Sequence, residues 1–302
     1  MIVYLGVVPL TYNLELLTNV YTNLAKVGVA GTTIPITSVD GLGLELLEEC
    51  EAVKHTSQGF VASEQIFDVD ECRVDVSRYG IYVHLIESLG MKPIAILPSF
   101  LDMASQVIFN GKRLVEIPNK ASIFIPFLKN VVEELFNIGI DMIVIRDSTI
   151  SRIFVSDTWK ARYGYTRDFI IEAYEYIATD TKKLAIYIPR PNIYSIEILT
   201  RISTLKLIGL RAFDESTLHN LFSDYLVSRI VEDGRMVLLG IAVLGRYQEE
   251  SSVRRMYIRA IKIIPRSKLI IAIDGIDVSG MESSQFVSLL LRAVKIVSSL
   301  EK

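Results

Sequence analysis

The run Lys268-Leu269-Ile270-Ile271-Ala272-Ile273-Asp274 decides the fold when it is read with Met236-Val237-Leu238-Leu239-Gly240-Ile241-Ala242-Val243 before it. Neither run alternates apolar with polar residues. A strand covered on one face alternates; a strand covered on both faces is apolar throughout, as in a parallel sheet flanked by helices. A helical stretch separates the two runs, from Glu249-Glu250 to Ile264-Pro265. Strand, helix and strand in that order form the parallel crossover unit.

The same unit recurs toward the N-terminus. Further strand candidates are Ile2–Val8, Gly59–Gln65, Pro93–Leu97, Asp141–Ile145, Leu184–Ile188 and Leu205–Leu210, which brings the strands to eight. Helical periodicity separates several of them. Val76, Tyr79, Val83 and Ile86 share one face of a helix over Val74–Leu89. Phe127, Val131, Leu135 and Ile138 do the same over Ile123–Asn137, as do Phe286, Leu289, Leu290, Ala293 and Val297 over Met281–Leu300. Gly90 and Gly139 follow two of these helices, where a left-handed cap ends a helix. Eight such units predict a single (β/α)8 TIM barrel over residues 1–302. An open doubly wound sheet is the alternative, but no G-x-G-x-x-G follows the first strand.

Composition agrees. The chain has 302 residues, 50% of them hydrophobic, and a barrel of this class takes about 250. The mean hydropathy of +0.37 reflects buried strands, since the longest apolar run, Met236 to Leu244, is far shorter than a membrane span. A net charge of -3 offers no general attraction to nucleic acid or to an anionic membrane, so neither is an expected partner. Cys50 and Cys72 are the two cysteines. They are too few for a disulfide framework, and Cys50 reads as a partly buried neutral thiol. A cytoplasmic setting is expected, with no signal peptide before Ile2.

A barrel carries its chemistry at the C-terminal ends of the strands. Those positions are Glu64, Ser99, Arg146, Asp147, Arg190, Asn192, Asp214, Arg246 and Asp274. Arg146, Arg190 and Arg246, with Asn192 and Asp214, suit a small anionic or amino-acid ligand: a guanidinium grips a carboxylate in a fork, and a carboxylate holds an amine. Asp147, Asp274 and Glu64 are the candidate acids or bases. The same charges can instead neutralise one another and simply close the barrel. Two connections stand out beside them: Phe100–Asn119, with the turn signal Asn110-Gly111, and the aromatic and basic stretch Ser151–Tyr165. The three histidines are scattered, and no Cys-x-x-Cys or His-x-x-x-His is present.

The strand ends resemble the cobalamin-independent methionine synthase family. The match is carried by Ile143-Val144-Ile145-Arg146-Asp147-Ser148 with the approach from Glu134 to Asp141, by Lys92-Pro93-Ile94-Ala95-Ile96-Leu97-Pro98, and by the last two units quoted above. Leu5-Gly6 with Asn13, Glu15 and Leu16 is similar to the opening of the family's zinc-less N-terminal barrel. The resemblance implies methyl transfer to a zinc-bound homocysteine thiolate in the family's zinc-bearing barrels. It also implies that zinc is absent here. Tyr187-Ile188-Pro189 stands at the family's His-x-Cys, with Asn192 kept from the Gly-Asn that follows. Ala212 or Phe213 stands at its Glu, and Gly275 after Asp274 at its last Cys. Basic residues that serve the folate tail are replaced by Pro9, Leu14 and Leu17. The resemblance therefore implies an accessory barrel with no cofactor, partnering a separate zinc-bearing methionine synthase barrel in methionine biosynthesis. An independent enzyme on a small anionic substrate is the other reading, and a zinc held by His219 with Asp214 a third.

Overall fold

The computed structural model describes residues 1–8, 13–36, 41–57, 59–154, 163–178, 183–212, 214–221, 229–244, 248–275 and 282–300. Eight parallel strands close into a barrel, each hydrogen-bonded to its neighbours in chain order, the last pairing with the first. They are Ile2–Gly6, Gly31–Thr33, Lys92–Pro98, Met142–Arg146, Lys183–Ile188, Leu207–Arg211, Met236–Val243 and Leu269–Gly275. Their side chains are almost all buried, as expected of apolar runs covered on both faces.

Seven of the eight strands fall where the sequence places them; the second does not. It is Gly31–Thr33, paired with the first strand through Val3 and Tyr4 and with the third through Lys92 to Ile94. The expected run Gly59–Gln65 is a strand only over Gly59–Ala62, and it belongs to a separate four-stranded sheet. The physical reason is length. A three-residue Gly-Thr-Thr strand has no apolar run to betray it, because its pairing partners on both sides supply the burial. The other sheet begins with the hairpin Val53–Thr56 and Gly59–Ala62, and continues through Val107–Phe109 to Lys112–Arg113. The last two strands join at Asn110 (φ 50°) and Gly111 (φ 73°), a two-residue turn whose positive dihedrals suit Asn-Gly. The turn signal in Phe100–Asn119 is therefore a hairpin.

The helices bury the faces their periodicity predicts. Val76, Tyr79, Val83 and Ile86 are buried in Gly80–Ser88 and the 3-10 turn before it. Phe127, Val131 and Leu135 are buried in Phe124–Asn137, and Phe286, Leu290, Ala293 and Val297 in Ser283–Ser298. Each fully buried side chain of this size contributes about 1.5–3 kcal/mol. Gly90 (φ 75°) and Gly139 (φ 101°) take the left-handed conformation expected after a helix. Among the described residues no helix is long and apolar enough to cross a membrane.

The cysteines correct their reading as thiols. Cys50 and Cys72 form a disulfide, with Cα atoms 5.9 Å apart, tying the end of helix Gly41–Glu49 to the segment after the 3-10 helix Glu64–Glu71. Both half-buried sulfur atoms meet because the accessory sheet folds 22 residues of chain back on themselves, which spacing alone does not reveal. The chemical ground for expecting a reducing compartment goes with the free thiols.

Candidate functional site

Alternate residues of a strand share a face, so stepping by two along each barrel strand traces the lumen. Met142, Val144 and Arg146 climb the fourth strand in this way. Leu207, Gly209 and Arg211 climb the sixth, and Ile270, Ala272 and Asp274 the eighth. The lumen thus turns from apolar to charged at the C-terminal strand ends.

At that end Arg211 and Asp274 form a buried ion pair, 1% and 0% exposed. Arg211 Nε lies 2.5 Å from Asp274 Oδ2, and Nη2 lies 2.8 Å from Oδ1. The Tyr187 hydroxyl also donates to Asp274 Oδ2. Glycines make room for this trio. A Cβ on Gly209 or Gly240 would run into Tyr187. Burial, followed by the charge of Asp274, raises the Tyr187 phenol well above its ordinary value, so it stays a donor.

A second cluster lies at the ends of the third and fourth strands. Ser99 caps helix Phe100–Gln106 by accepting from Asp102 N–H at 2.9 Å. The buried Asp102 carboxylate accepts from Ser148 N–H (3.0 Å), Ser148 Oγ (2.9 Å) and Thr149 Oγ1 (2.6 Å), and lies 3.3 Å from Arg146 Nη2. Beside it, Asp147 Oδ1 accepts from the N–H groups of Thr149 (3.0 Å) and Ile150 (2.8 Å). Tyr174 O–H donates to its Oδ2 at 2.5 Å. Burial, and then the neighbouring Asp102 charge, push the Asp147 carboxyl up to about 7.

Of the sequence candidates, Ser99, Arg146, Asp147 and Asp274 therefore enter the two buried clusters. The others stand apart. Glu64 is exposed and starts a 3-10 helix beside the accessory sheet, because the strand assigned to it is not a barrel strand. Arg190 is exposed. Asn192 caps helix Ile193–Arg201 in a reciprocal box with Ser195, and its Nδ2 donates to Ser151 O at 2.9 Å. Asp214 is exposed and accepts from Thr217 N–H at 2.7 Å; that bond and the Ser216 hydroxyl hold its carboxyl below the usual range. Arg246 lies outside the described residues, as do Trp159 and Arg162 of the aromatic stretch. His219 is exposed and faces Arg259 at 2.6 Å, and His84 is exposed on its helix.

Sequence reasoning missed Arg211, Asp102 and Tyr174. Arg211 carried a usable signal, a cation ending the apolar run Leu207-Ile208-Gly209-Leu210. Asp102 and Tyr174 carried none, since they reach the strand ends from helices. Among the described residues no three His, Cys, Asp or Glu side chains converge to hold a metal ion. A guanidinium fills the space between the fifth, sixth and eighth strand ends, and both Asp274 oxygens are committed to it or to Tyr187. Phenol, guanidinium and one engaged carboxylate do not fit a tetrahedral zinc with nitrogen and sulfur ligands.

Solved structures share this architecture. A B12-independent methionine synthase from a Shewanella species, in complex with selenomethionine, is 13% identical. The match covers 95% of this chain and 89% of that one, with a TM-score of 0.61. A putative vitamin-B12-independent methionine synthase from Listeria monocytogenes, also 13% identical, matches over 94% of this chain and 85% of its own at a TM-score of 0.62. A methyltransferase from Methanosarcina mazei, 11% identical, matches over 97% and 91% at 0.57. At these identities the likeness establishes the fold, a (β/α)8 barrel whose structural neighbours include methionine-synthase-like enzymes. No family model and no curated protein matches the sequence.

Proposed function

We propose that this barrel is a zinc-less relative of cobalamin-independent methionine synthase that serves homocysteine methyl transfer as an accessory partner of a separate zinc-bearing barrel. One observation carries the reading. Next to the positions where the resemblance places the family's zinc ligands (Tyr187-Ile188-Pro189, Ala212 or Phe213, and Gly275) lie Tyr187, Arg211 and Asp274, which satisfy one another in a buried, neutral trio. Both Asp274 oxygens are engaged inside the trio, and Arg211 already grips that carboxylate through two nitrogens of its fork. A centre locked in this way suits a scaffold better than a catalyst. The similarity of fold to B12-independent methionine synthases supports the family assignment.

The test is direct. Mixed with a zinc-bearing methionine synthase barrel from the same source, the protein should co-elute in size exclusion and raise the partner's rate of methyl transfer. Absence of a complex, together with an unchanged rate, defeats the proposal. One zinc per purified chain would defeat the zinc-less part by itself.

A second reading, an independent enzyme acting on a small anion, rests on Asp147. A carboxyl titrating near 7 suits general acid–base work. Turnover lost in Asp147→Asn and weakened substrate binding in Arg146→Ala would favour it. Asp147 is fully buried behind Tyr174, which counts against it.

A further inference from the structure

The lumen of a (β/α)8 barrel is normally filled by layers of branched side chains. Here the lowest layer, at the N-terminal strand ends, leaves a cavity of about 260 Å³. Val3, Ile94, Met142, Leu207, Met236 and Ile270 form its wall. Met142, Leu207 and Ile270 are the first inward residues of the fourth, sixth and eighth strands traced above, and Val3, Ile94 and Met236 of the first, third and seventh strands line the same space. The cavity is thus the far end of the same lumen, separated from the Arg211–Asp274 pair by the layer that holds Val144, Gly209 and Ala272.

The rim differs from the wall. Lys92, Lys183 and Lys206 line the opening, with Asp141 as the one carboxylate there among the described residues. Lys183 Nζ lies 3.2 Å from Asp141 Oδ2 and Lys92 Nζ 3.7 Å from Oδ1. Both cations share that single anion, and Lys206 has no carboxylate partner among the described residues. Among the described residues the rim therefore carries an excess of positive charge above a greasy wall. Water gains little in such a space, since an apolar cavity gives it no hydrogen-bond partners. A molecule with a short hydrocarbon body and one anionic head satisfies both parts. The volume sits just below the roughly 300 Å³ at which small-ligand pockets begin, so the body must be short.

We propose that the N-terminal end of this barrel binds an apolar monocarboxylate, its hydrocarbon chain among Val3, Ile94, Met142, Leu207, Met236 and Ile270 and its carboxylate on the Lys183 and Lys206 ammonium groups. The site stands independently of any role at the opposite end of the lumen.

Calorimetric titration with hexanoate and octanoate tests it, with octanol and inorganic phosphate as controls. Octanoate should bind more tightly than hexanoate by about fourfold per added methylene. Octanol should bind about tenfold more weakly than octanoate, and phosphate should give no heat. Lys206→Glu, a change at an exposed residue whose fold is checked by circular dichroism, should weaken octanoate about tenfold. Leu207→Phe, which fills part of the cavity, should weaken octanoate more than hexanoate. No heat with octanoate, equal affinity for octanol, phosphate binding as tight as octanoate, or octanoate affinity unmoved by both variants would each overturn the proposal.

Discussion

Arg211 and Asp274 face each other across the seventh strand, the guanidinium gripping both carboxylate oxygens at 2.5 and 2.8 Å with neither side chain reaching solvent. Two charges so buried are costly to desolvate, and their mutual attraction repays that cost only while both are present. Arg211→Ala or Asp274→Ala should each lower stability by about 3–5 kcal/mol in urea titration. The triple replacement Arg211→Met, Asp274→Leu, Tyr187→Phe removes every polar member together and should recover most of that loss. Single variants within about 1 kcal/mol of wild type would show that the pair is hydrated.

Gly240 sits beside this pair because nothing larger fits. A Cβ there would run into the Tyr187 hydroxyl and lie 3.3 Å from Asp274 Oδ2. Gly240→Ala should cost about 1–3 kcal/mol through overpacking. Tyr187→Phe removes the obstructing oxygen, so a double-mutant cycle should find the two changes coupled, the alanine costing less on the phenylalanine background. Additive effects would mean that the strand simply shifts.

Asp147 predicts an unusual pH dependence. Its carboxyl titrates near 7 in the native state, above the ordinary 3.8. Between those values the folded chain holds a proton that the unfolded chain has lost. Stability from this group is therefore full in acid and declines as pH rises through 4 to 7, opposite to a salt-bridged aspartate. Asp147→Asn keeps an acceptor for Thr149 and Ile150 N–H and cannot ionise. The variant should gain on wild type as pH rises from 5 to 8 in unfolding experiments. Parallel stability curves would place the Asp147 pKa in the ordinary range.

The Cys50–Cys72 bridge closes a loop across 22 positions, which should stabilise the folded chain by about 3 kcal/mol. Thiol titration of the unfolded, unreduced protein should detect no free cysteine. Reductant, or the pair Cys50→Ala and Cys72→Ala, should lower the unfolding midpoint. Two reactive thiols in the purified protein would show that the bridge does not form.

The fold class and most of the barrel strands are legible in the order of the residues. Seven barrel strands are long apolar runs, and a run buried on both faces reveals itself one residue at a time. The helix faces, the left-handed glycines and the Asn110-Gly111 hairpin are local in the same sense. The candidate site was legible only in part. Arg146, Asp147 and Asp274 end strands, where barrel topology directs attention. Packing in three dimensions, by contrast, puts Gly31–Thr33 into the barrel, sets Glu64 beside another sheet and brings Cys50 to Cys72. It alone brought Asp102 and Tyr174 to the strand ends and coupled Arg211 to Asp274. Each of these is a meeting of residues far apart in the chain. Side-chain periodicity reports which face a residue turns to the core, and says nothing of what waits there.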